Sequence, residues 1–334
     1  MKLNNVLSAQ VQISPDDFSP VSLTEREQLE KLSEPTTYWK DAWRRLKHYK
    51  IALGSMFVLL AIALLAIIVP WVSPYDYDEQ IRGAENLGPS LKHLFGTDSY
   101  GRDLFVRTMK GCRISLGIGL LASVMVLIIG SIYGAISGLC GGIIDNIMMR
   151  IVELIYSVPE ILIIIIIKLV ITDPLSTLFQ SNAFFKPLQT LGSGVIAIFI
   201  VYGMLYWVGM ARIIRGQVLQ LKKMEYVNSA VALGGNKRRL IMKHLLPNCI
   251  GQLIVTTALQ IPSAIFTESF LSFLGLGVEV PTPSLGSLAS SAIGSINSYP
   301  YRLFFPALII SIIILTFNLF ADGLRDALDP KMKK

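Results

Sequence analysis

The amino-acid sequence predicts an all-α membrane protein with six transmembrane helices. The chain has 334 residues, of which 52% are hydrophobic and only 16% are charged, and its mean hydropathy is +0.56. An ordinary soluble domain carries more charge and fewer apolar residues than this. Apolar runs of about 18 residues or more are long enough to cross a bilayer as helices. The composition therefore excludes an ordinary soluble domain.

Six apolar segments have a suitable length for a membrane span. They are residues 51–72, 114–138, 151–171, 195–213, 250–271 and 304–320. The third is irregular, because Pro159 lies near its centre and is expected to kink it. The second contains Gly130 and Gly134 in a GxxxG pattern, which predicts close packing against another span.

The basic residues are unevenly distributed along the chain. More than two thirds of the 30 Lys and Arg residues lie in the N-terminal tail, near residue 150, in the 212–248 segment and after the last span. Basic residues accumulate on the cytoplasmic side of membrane proteins, so the pattern predicts that both termini are cytoplasmic. We therefore attribute the net charge of +7 to topology and expect no nucleic-acid partner.

The N-terminal region is predicted to be a polar cytoplasmic tail followed by an interfacial helix. The first 35 residues are polar, so no cleavable signal peptide is expected. Residues 38–50 place Trp39 and Trp43 on one helical face and basic residues on the other. This pattern is typical of a helix that lies on membrane lipid, although a helix packed on the protein is the alternative.

One polar and basic segment, residues 224–248, separates two of the long apolar segments. It reads MEYVNSAVALGGNKRRLIMKHLLPN. Val227 and Val231 recur at helical spacing, and two glycines then favour a helix end because glycine accepts unusual backbone angles. A second short helix is expected over residues 237–246, with Pro247 ending it. The segment is predicted to be a compact helix–turn–helix with an apolar face and a basic back.

The segment resembles the EAA loop of ABC importer permeases. The resemblance lies in the spacing of Ser229, Ala230, Leu246 and Pro247. That loop docks on a cytoplasmic ATPase. Asn228 stands where the general motif has Glu, as is common in the oligopeptide/dipeptide permeases of the OppC/DppC type. The resemblance implies ATPase docking by Glu225, Asn228, Ser229, Ala230, Gly234, Leu246 and Pro247. An ordinary basic loop between two membrane helices is the alternative.

Three further stretches resemble the same family. Residues 96–103 read GTDSYGRD, residues 267–277 read TESFLSFLGLG, and residues 317–330 read FNLFADGLRDALDP. The first has the glycine spacing of a phosphate-binding loop but lacks its Lys-Ser/Thr ending, so no nucleotide site is expected there. The resemblance covers about residues 45–330.

Charged residues in two of these stretches are expected to form ion pairs. In the first outer loop, pairing among Asp98, Arg102 and Asp103 is expected to hold the loop's shape, with little contribution from each exposed pair. At the cytoplasmic end of the last span, salt bridges are expected among Asp322, Arg325, Asp326 and Asp329.

The candidate translocation-pathway or gate residues are Glu160 and Glu268, because charged groups at membrane depth usually face a cavity or a partner. Glu153 and Lys168 lie closer to an interface, where long side chains extend toward water. Cys112, Cys140 and Cys249 lie far apart and predict neither a metal site nor a disulfide framework. No catalytic residue is predicted.

The resemblance implies the type I ABC importer permease fold with the following division of the chain. Residues 1–50 form the tail and interfacial helix, 51–112 the first span and outer loop, 113–327 the permease core with its docking loop at 212–248, and 328–334 a cytoplasmic tail.

The implied function is that of a membrane-embedded subunit of a peptide importer in the bacterial cytoplasmic membrane. The implied partners are a homologous second permease, two ATPase subunits, an extracellular peptide-binding protein and a peptide substrate. Because the chain has no Walker A motif, ATP and magnesium are expected on the ATPases and no cofactor on this chain. The alternatives are nickel or glutathione as cargo, an ion-coupled transporter using Glu160, Glu268 and Lys168, and a membrane scaffold.

Overall fold

The computed structural model describes residues 38–181, 193–278 and 282–328. The chain divides into two units, residues 1–45 and 46–334. Helix α1, Tyr38–His48, begins in the first unit. There Asp41 accepts a hydrogen bond of 2.9 Å from Arg45, and the side chains of Trp39 and Trp43 are exposed. The predicted tail before residue 38 lies outside the described residues.

The second unit is helical throughout its described regular elements, apart from one isolated β-bridge between Thr97 and Asp103. Its helices are α2 (Lys50–Val72), α3 (Leu104–Cys140), α4 (Gly142–Ser157), α5 (Glu160–Ser181), α6 (Ser193–Leu205), α7 (Trp207–Leu221), α8 (Glu225–Ala232), α9 (Ile250–Phe273), α10 (Leu285–Ala292) and α11 (Tyr301–Leu328).

Within the described residues, five helical stretches are long and apolar enough to cross a membrane. They are Lys50–Val72, Leu104–Cys140, Gly194–Leu221, Lys237–Phe273 and Tyr301–Leu328. If the bent pair of helices Gly142–Ser157 and Ile161–Leu175 counts as one span, the described residues contain six spans. This agrees with the predicted all-α membrane architecture.

The third span differs from the single kinked helix that the sequence predicted. α4 and α5 are separate helices that meet at a bend of 89°. Val158 is extended, with φ −98° and ψ 137°, because the ring of Pro159 disfavours helical angles for the residue before it. The proline therefore ends one helix and precedes the next.

The glycine-rich face of α3 packs closely against α7, as predicted. A Cβ atom added to Gly134 would lie 2.4 Å from the carbonyl oxygen of Ala211, and one added to Gly130 would lie 2.6 Å from Met210. Gly138 makes the same kind of approach to Val218. Small residues let the two backbones come within contact distance, so α3 and α7 form one tightly packed pair.

The first outer loop is held by buried polar contacts. Asp98 and Arg102 pair at 2.8 Å as expected, but Asp103 pairs with His93 at 2.8 Å. Asp103 also caps α3 by accepting from the backbone N–H of Val106 at 2.9 Å. The expectation of exposed pairs was wrong, since His93, Asp98 and Asp103 are all buried. The loop is therefore a small ordered body at one end of the spans.

The ion pairs expected at the end of α11 do not form among the described residues. Asp322 and Arg325 are exposed and Asp326 is half-buried, and no salt bridge in the described part of the chain includes them. Asp329 lies outside the described residues.

Pro247 does not end the second helix of the 224–248 segment, contrary to the prediction. Lys237–Arg239 is followed by a π-helical turn, Leu240–Leu245, and a 3₁₀ turn, Leu246–Cys249. Proline is tolerated at the start of a helical turn because its missing N–H has no partner there. The helical path therefore continues into α9 as one stretch, Lys237–Phe273.

Candidate docking surface and transport groove

The docking segment, residues 224–248, turns sharply at two adjacent glycines. The N–H of Gly235 donates to the carbonyl of Ala230 at 2.9 Å, and that of Gly234 donates to Val231 at 2.9 Å. This is the Schellman arrangement, which closes a helix end with a residue in the left-handed region. Gly234 is that residue, with φ +79°, so glycine fits without strain.

The second glycine is required for a different reason. A Cβ atom on Gly235 would lie 2.6 Å from the carbonyl oxygen of Ala230. The following residue, Asn236, accepts a hydrogen bond of 2.8 Å from the N–H of Arg239 and so caps the next helical turn. The turn between the two short helices is thus fixed at three consecutive positions.

One side of the docking segment is buried against the spans. Val227 of α8 packs in a single hydrophobic cluster with residues of α3, α7 and α9. The buried members of that cluster are Val126, Ala135, Met210, Ile214, Val218, Val227, Leu240, Ile241, Leu245, Cys249 and Leu253. Because interiors are close-packed, the docking segment is seated directly on the spans in this cluster.

The opposite side of the docking segment is apolar and exposed. Leu233 is 88% exposed, Met224 and Val231 are each 51% exposed, and Tyr226 is 40% exposed. Partial burial raises the pKa of the Tyr226 hydroxyl, with a smaller contribution from Cys249, so this ring is neutral at physiological pH. Several exposed apolar side chains within one short segment are typical of an interaction site.

The seven predicted docking residues do not share one environment. Glu225, Asn228, Ser229, Gly234 and Pro247 are exposed, whereas Ala230 and Leu246 are half-buried and pack on the inner cluster. Sequence reasoning missed the exposed apolar residues, above all Leu233. A large apolar residue directly before a Gly-Gly turn in a polar segment was the signal.

An ion pair near the docking segment was also missed. Arg215 of α7 donates two hydrogen bonds of 2.6 Å each to the carboxylate of Asp145 at the start of α4. The hydroxyl of Ser137 donates to the same carboxylate, and Lys222 donates to the carbonyl of Gly138 at 2.8 Å. Paired bonds of this kind fix geometry as well as charge, so they tie α3, α4 and α7 together.

A groove of about 570 Å³ opens at the bend between α4 and α5. We call it the bend groove. Its lining combines apolar, hydroxyl and amide side chains: Ile155, Tyr156, Ser157, Val158, Pro159, Ile163, Leu205, Tyr206, Gly209, Gln260 and Ser263. The Tyr206 hydroxyl lies 3.0 Å from that of Thr267, and the guanidinium of Arg212 lies 4.2 Å from the centre of the Tyr156 ring.

The two candidate pathway residues lie in different places. Glu160 is the first residue of α5 and follows Pro159 of the bend groove, but its side chain lies outside the described residues. Glu268 is fully buried in α9 and is not among the residues that line the groove. Glu268 therefore lies away from the bend groove, among the residues that the structure describes there.

Two other charged residues of the bent pair have clear environments. Lys168 is buried and donates to the carbonyl of Gly277 at 2.9 Å, so its expected extension toward water was wrong. Glu153 is exposed and pairs with Arg150 at 3.0 Å. In the described part of the chain, no group of three or more His, Cys, Asp or Glu side chains is arranged to hold a metal ion.

Two family descriptions match the chain. Residues 130–334 match the family described as binding-protein-dependent transport system inner membrane component. Residues 37–89 match the N-terminal transmembrane domain of oligopeptide transport permease C. Together they cover α1, α2 and the region from the last third of α3 onward, which includes the docking segment and the bend groove.

Curated relatives are similar over nearly their whole length. The dipeptide transport system permease protein DppC of Bacillus subtilis is 42% identical over 322 residues, which cover 96% of this chain and 94% of the relative. The oligopeptide transport system permease protein OppC of the same organism is 44% identical over 306 residues, covering 91% and 94%. OppC of Escherichia coli is 39% identical over 305 residues, covering 90% and 94%.

These matches agree with the membrane-spanning helices of the described residues. They assign the chain to the cytoplasmic membrane as a multi-pass protein. The chain belongs to the family of inner-membrane permease components of binding-protein-dependent transport systems.

Proposed function

We propose that this chain is a permease subunit of an ATP-driven importer of oligopeptides or dipeptides. The observation that carries the proposal is the docking segment, which is anchored in the spans on one side and exposes apolar residues on the other. A rigid projection of this kind suits the transfer of motion from a cytoplasmic ATPase to a membrane pathway. The cargo is inferred from relatives named for dipeptide and oligopeptide transport.

The proposal includes an orientation and a set of partners. Both termini and the docking segment are cytoplasmic, in line with the distribution of basic residues, and α1 lies on membrane lipid. The partners are a homologous second permease, two ATPase subunits and an extracellular peptide-binding protein. ATP and magnesium are bound by the ATPases, and this chain is not itself an enzyme.

We assign the ATPase contact to the predicted residues Glu225, Asn228, Ser229, Ala230, Gly234, Leu246 and Pro247, and add Leu233 to them. Exposed apolar groups around these residues supply the area that an interface core needs. The basic side chains of Lys237, Arg238 and Arg239 are also exposed, so they give the rim of this contact a positive charge.

We assign the bend groove to the translocation pathway, with Glu160 beside it. Hydroxyl and amide groups such as those of Tyr156, Tyr206 and Gln260 can satisfy peptide backbone groups, and the apolar lining accepts side chains of varied type. Transport proceeds by alternating access, driven by closure of the ATPases. To shift such an equilibrium from 1:99 to 99:1 takes about 5.5 kcal/mol of differential binding.

The ion-coupled alternative has less support. It requires Glu268 to exchange ions or protons with Glu160 and Lys168, but the side chain of Glu268 accepts hydrogen bonds from serine hydroxyls. Nickel and glutathione remain different cargoes for the same machinery, whereas the relatives' names specify peptides.

Uptake of a radiolabelled tripeptide such as tri-alanine into proteoliposomes tests the proposal. The complete complex should take up the tripeptide when ATP is on the ATPase side, and omission of the ATPases should abolish uptake. A protonophore should leave the initial rate unchanged. Uptake that continues without the ATPases, or that the protonophore abolishes while ATP remains, contradicts the proposal.

A further inference from the structure

The carboxyl group of Glu268 is enclosed by serine side chains. It is fully buried within α9. One of its oxygens accepts a hydrogen bond of 2.7 Å from Ser115, and the other accepts one of 2.8 Å from Ser272. Ser269 adds a longer contact of 3.4 Å. Each carboxyl oxygen therefore has a close hydroxyl donor, as a buried polar group requires.

The serines belong to three different elements. Ser115 lies on α3, Ser272 lies on α9, and Ser284 is the N-cap residue of α10. The hydroxyl of Ser284 donates to that of Ser272 at 3.2 Å, and the N–H of Leu285 approaches the Ser115 hydroxyl at 3.4 Å. We call Glu268 with Ser115, Ser272 and Ser284 the serine joint.

The backbones around the serine joint are also in close contact. A Cβ atom on Gly286 of α10 would lie 2.3 Å from the carbonyl oxygen of Ser269, and one on Gly111 of α3 would lie 3.0 Å from Ser284. Leu285 is fully buried at the same place. The start of α10 therefore sits directly on α3 and α9, with polar contacts at the centre of the contact area.

A carboxyl group at this position is costly. Buried acidic groups are usually paired with a cation or bound to a metal, yet the described contacts of Glu268 are with uncharged serines. An apolar side chain of similar size would fill the same volume without this cost. The carboxyl group is instead suited to join hydroxyls from separate elements, since its two oxygens accept from different directions.

We propose that Glu268 is a positioning residue that fastens α10 to α3 and α9, so that the three elements move as one body during the transport cycle. The consequence for transport rests on the proposed function. The attachment of α10 to α3 and α9 does not. α10 follows the outer-facing LGLG stretch in our proposed orientation, so the serine joint links the outer surface to the spans.

Hydrogen exchange of the purified complex tests the fastening without any transport measurement. In Glu268→Met, which keeps the volume but removes both acceptors, the amides of residues 285–292 should exchange on the order of tenfold faster, as expected for a lost hydrogen bond of this kind. In Glu268→Gln, which keeps one acceptor oxygen, the increase should be smaller. The amides of α8 should be unchanged in both variants.

A matched control is Glu153→Gln, which alters an exposed carboxylate paired with Arg150 and should leave the exchange of α10 unchanged. If Glu268→Met fails to assemble, Ser115→Ala and Ser272→Ala each remove one donor and should accelerate exchange in α10 to a lesser degree. Wild-type exchange of α10 in every assembled variant of the serine joint overturns the proposal.

The consequence for transport is measured on the same variants. Tripeptide uptake by the complete complex should be lost in Glu268→Met, whereas Glu268→Gln should retain most of it. An equally complete loss in Glu268→Gln and Glu268→Met would mean that the retained acceptor oxygen does not hold α10 in place, and the positioning role is wrong. Faster exchange in Glu268→Met, together with a wild-type complex that takes up no peptide, would contradict the proposed function alone.

Discussion

At the scale of single residues, the two glycines of the docking segment have distinct tasks. Gly234 has a positive φ of +79° and open space where a Cβ atom would lie, whereas Gly235 lies against the carbonyl of Ala230. The first therefore supplies a backbone conformation, and the second supplies room. The turn beside the exposed side chain of Leu233 needs both glycines.

Alanine substitutions should separate these tasks. Gly234→Ala places a Cβ in the left-handed region at a cost of about 1–2 kcal/mol, so we expect ATPase binding about tenfold weaker. Gly235→Ala forces the turn to shift and should weaken binding further. Dissociation constants of the ATPase for the permease in nanodiscs check both.

The matched control for these substitutions is Gly216→Ala. Gly216 is an exposed helical glycine of α7 with nothing within 4 Å of an added Cβ, and alanine favours helix more than glycine does. Its variant should bind the ATPase as tightly as the wild type. Equal affinity for all three variants would show that the turn does not shape the docking surface.

Individual residues differ in how far the sequence predicts their environment. The helix end at Gly234 was predictable because the reason is local and belongs to glycine itself. The exposure of Leu233 was not, because apolar residues usually indicate burial and only the fold shows which side of the turn a residue occupies. The contacts of Lys168 and Gly277 were missed because more than a hundred residues separate them.

At the scale of elements, the pair α3 and α7 depends on close backbone contact. We expect Gly134→Ala to force these helices apart, since the added Cβ would lie 2.4 Å from the carbonyl of Ala211. Overpacking of this kind typically costs about 1–3 kcal/mol. The apparent Tm of the purified complex should fall, and tripeptide uptake should fall with it.

Gly117→Ala is the control on the same helix, because an added Cβ there has nothing within 4 Å. It should leave the apparent Tm within error of the wild type or raise it slightly. A Gly134→Ala variant as stable as Gly117→Ala would contradict the close packing of α3 and α7.

The ion pair between Asp145 and Arg215 joins α4 to α7. The side chain of Asp145 is 9% exposed and that of Arg215 is 32% exposed, so solvent screens the pair only in part. Asp145→Ala should destabilise the complex by about 1.5–3 kcal/mol, the usual range for hydrogen bonds to charged groups. Denaturant-dependent loss of ATPase binding provides the measurement.

A double-mutant cycle separates the pair from each residue alone. Because Ala at both positions leaves no unpaired charge, Asp145→Ala combined with Arg215→Ala should cost less than the sum of the two single changes. Strict additivity would mean that the bidentate contact does not join the two helices.

The element scale marks a limit of prediction from sequence. Apolar length and GxxxG spacing predicted the spans and the packing of α3, because both patterns lie within one segment. The sequence predicted a kink at Pro159 instead of the 89° bend, since a proline inside an apolar run is compatible with either. Which one forms is not encoded in the apolar run itself.

At the scale of the whole molecule, the proposed orientation puts the first outer loop and the docking segment on opposite sides of the membrane. Leu91 of that loop is fully exposed and Leu233 is 88% exposed. In a background with Cys140→Ser, an impermeant maleimide should label Leu91→Cys in intact cells. Leu233→Cys should react only after the membrane is permeabilised, because the proposed orientation places the docking segment in the cytoplasm.

The native cysteines Cys112 and Cys249 are buried, so the background alone should give little signal. Labelling of Leu233→Cys in intact cells would reverse the orientation and remove the basis for ATPase docking. Labelling at neither position before permeabilisation would contradict the placement of the first outer loop.

The class of the protein was predictable, because membrane spans and basic flanks are patterns within the sequence. The contacts between its helices were less predictable. The serine joint unites residues from positions 115, 268 and 284, and no local pattern around them indicates that they meet. Likewise the charge of Glu268 predicted a pathway or gate residue, but the sequence did not indicate which hydroxyls enclose it in the fold.

In the proposed transport cycle, ATP acts on the bend groove through the docking segment. The most direct test is the rate at which a maleimide modifies Tyr156→Cys in the bend groove of the assembled complex, with and without ATP. ATP should change this rate several-fold, and Leu233→Asp should abolish the change while Leu91→Asp preserves it. An ATP response that persists undiminished in the Leu233→Asp complex would contradict the claim.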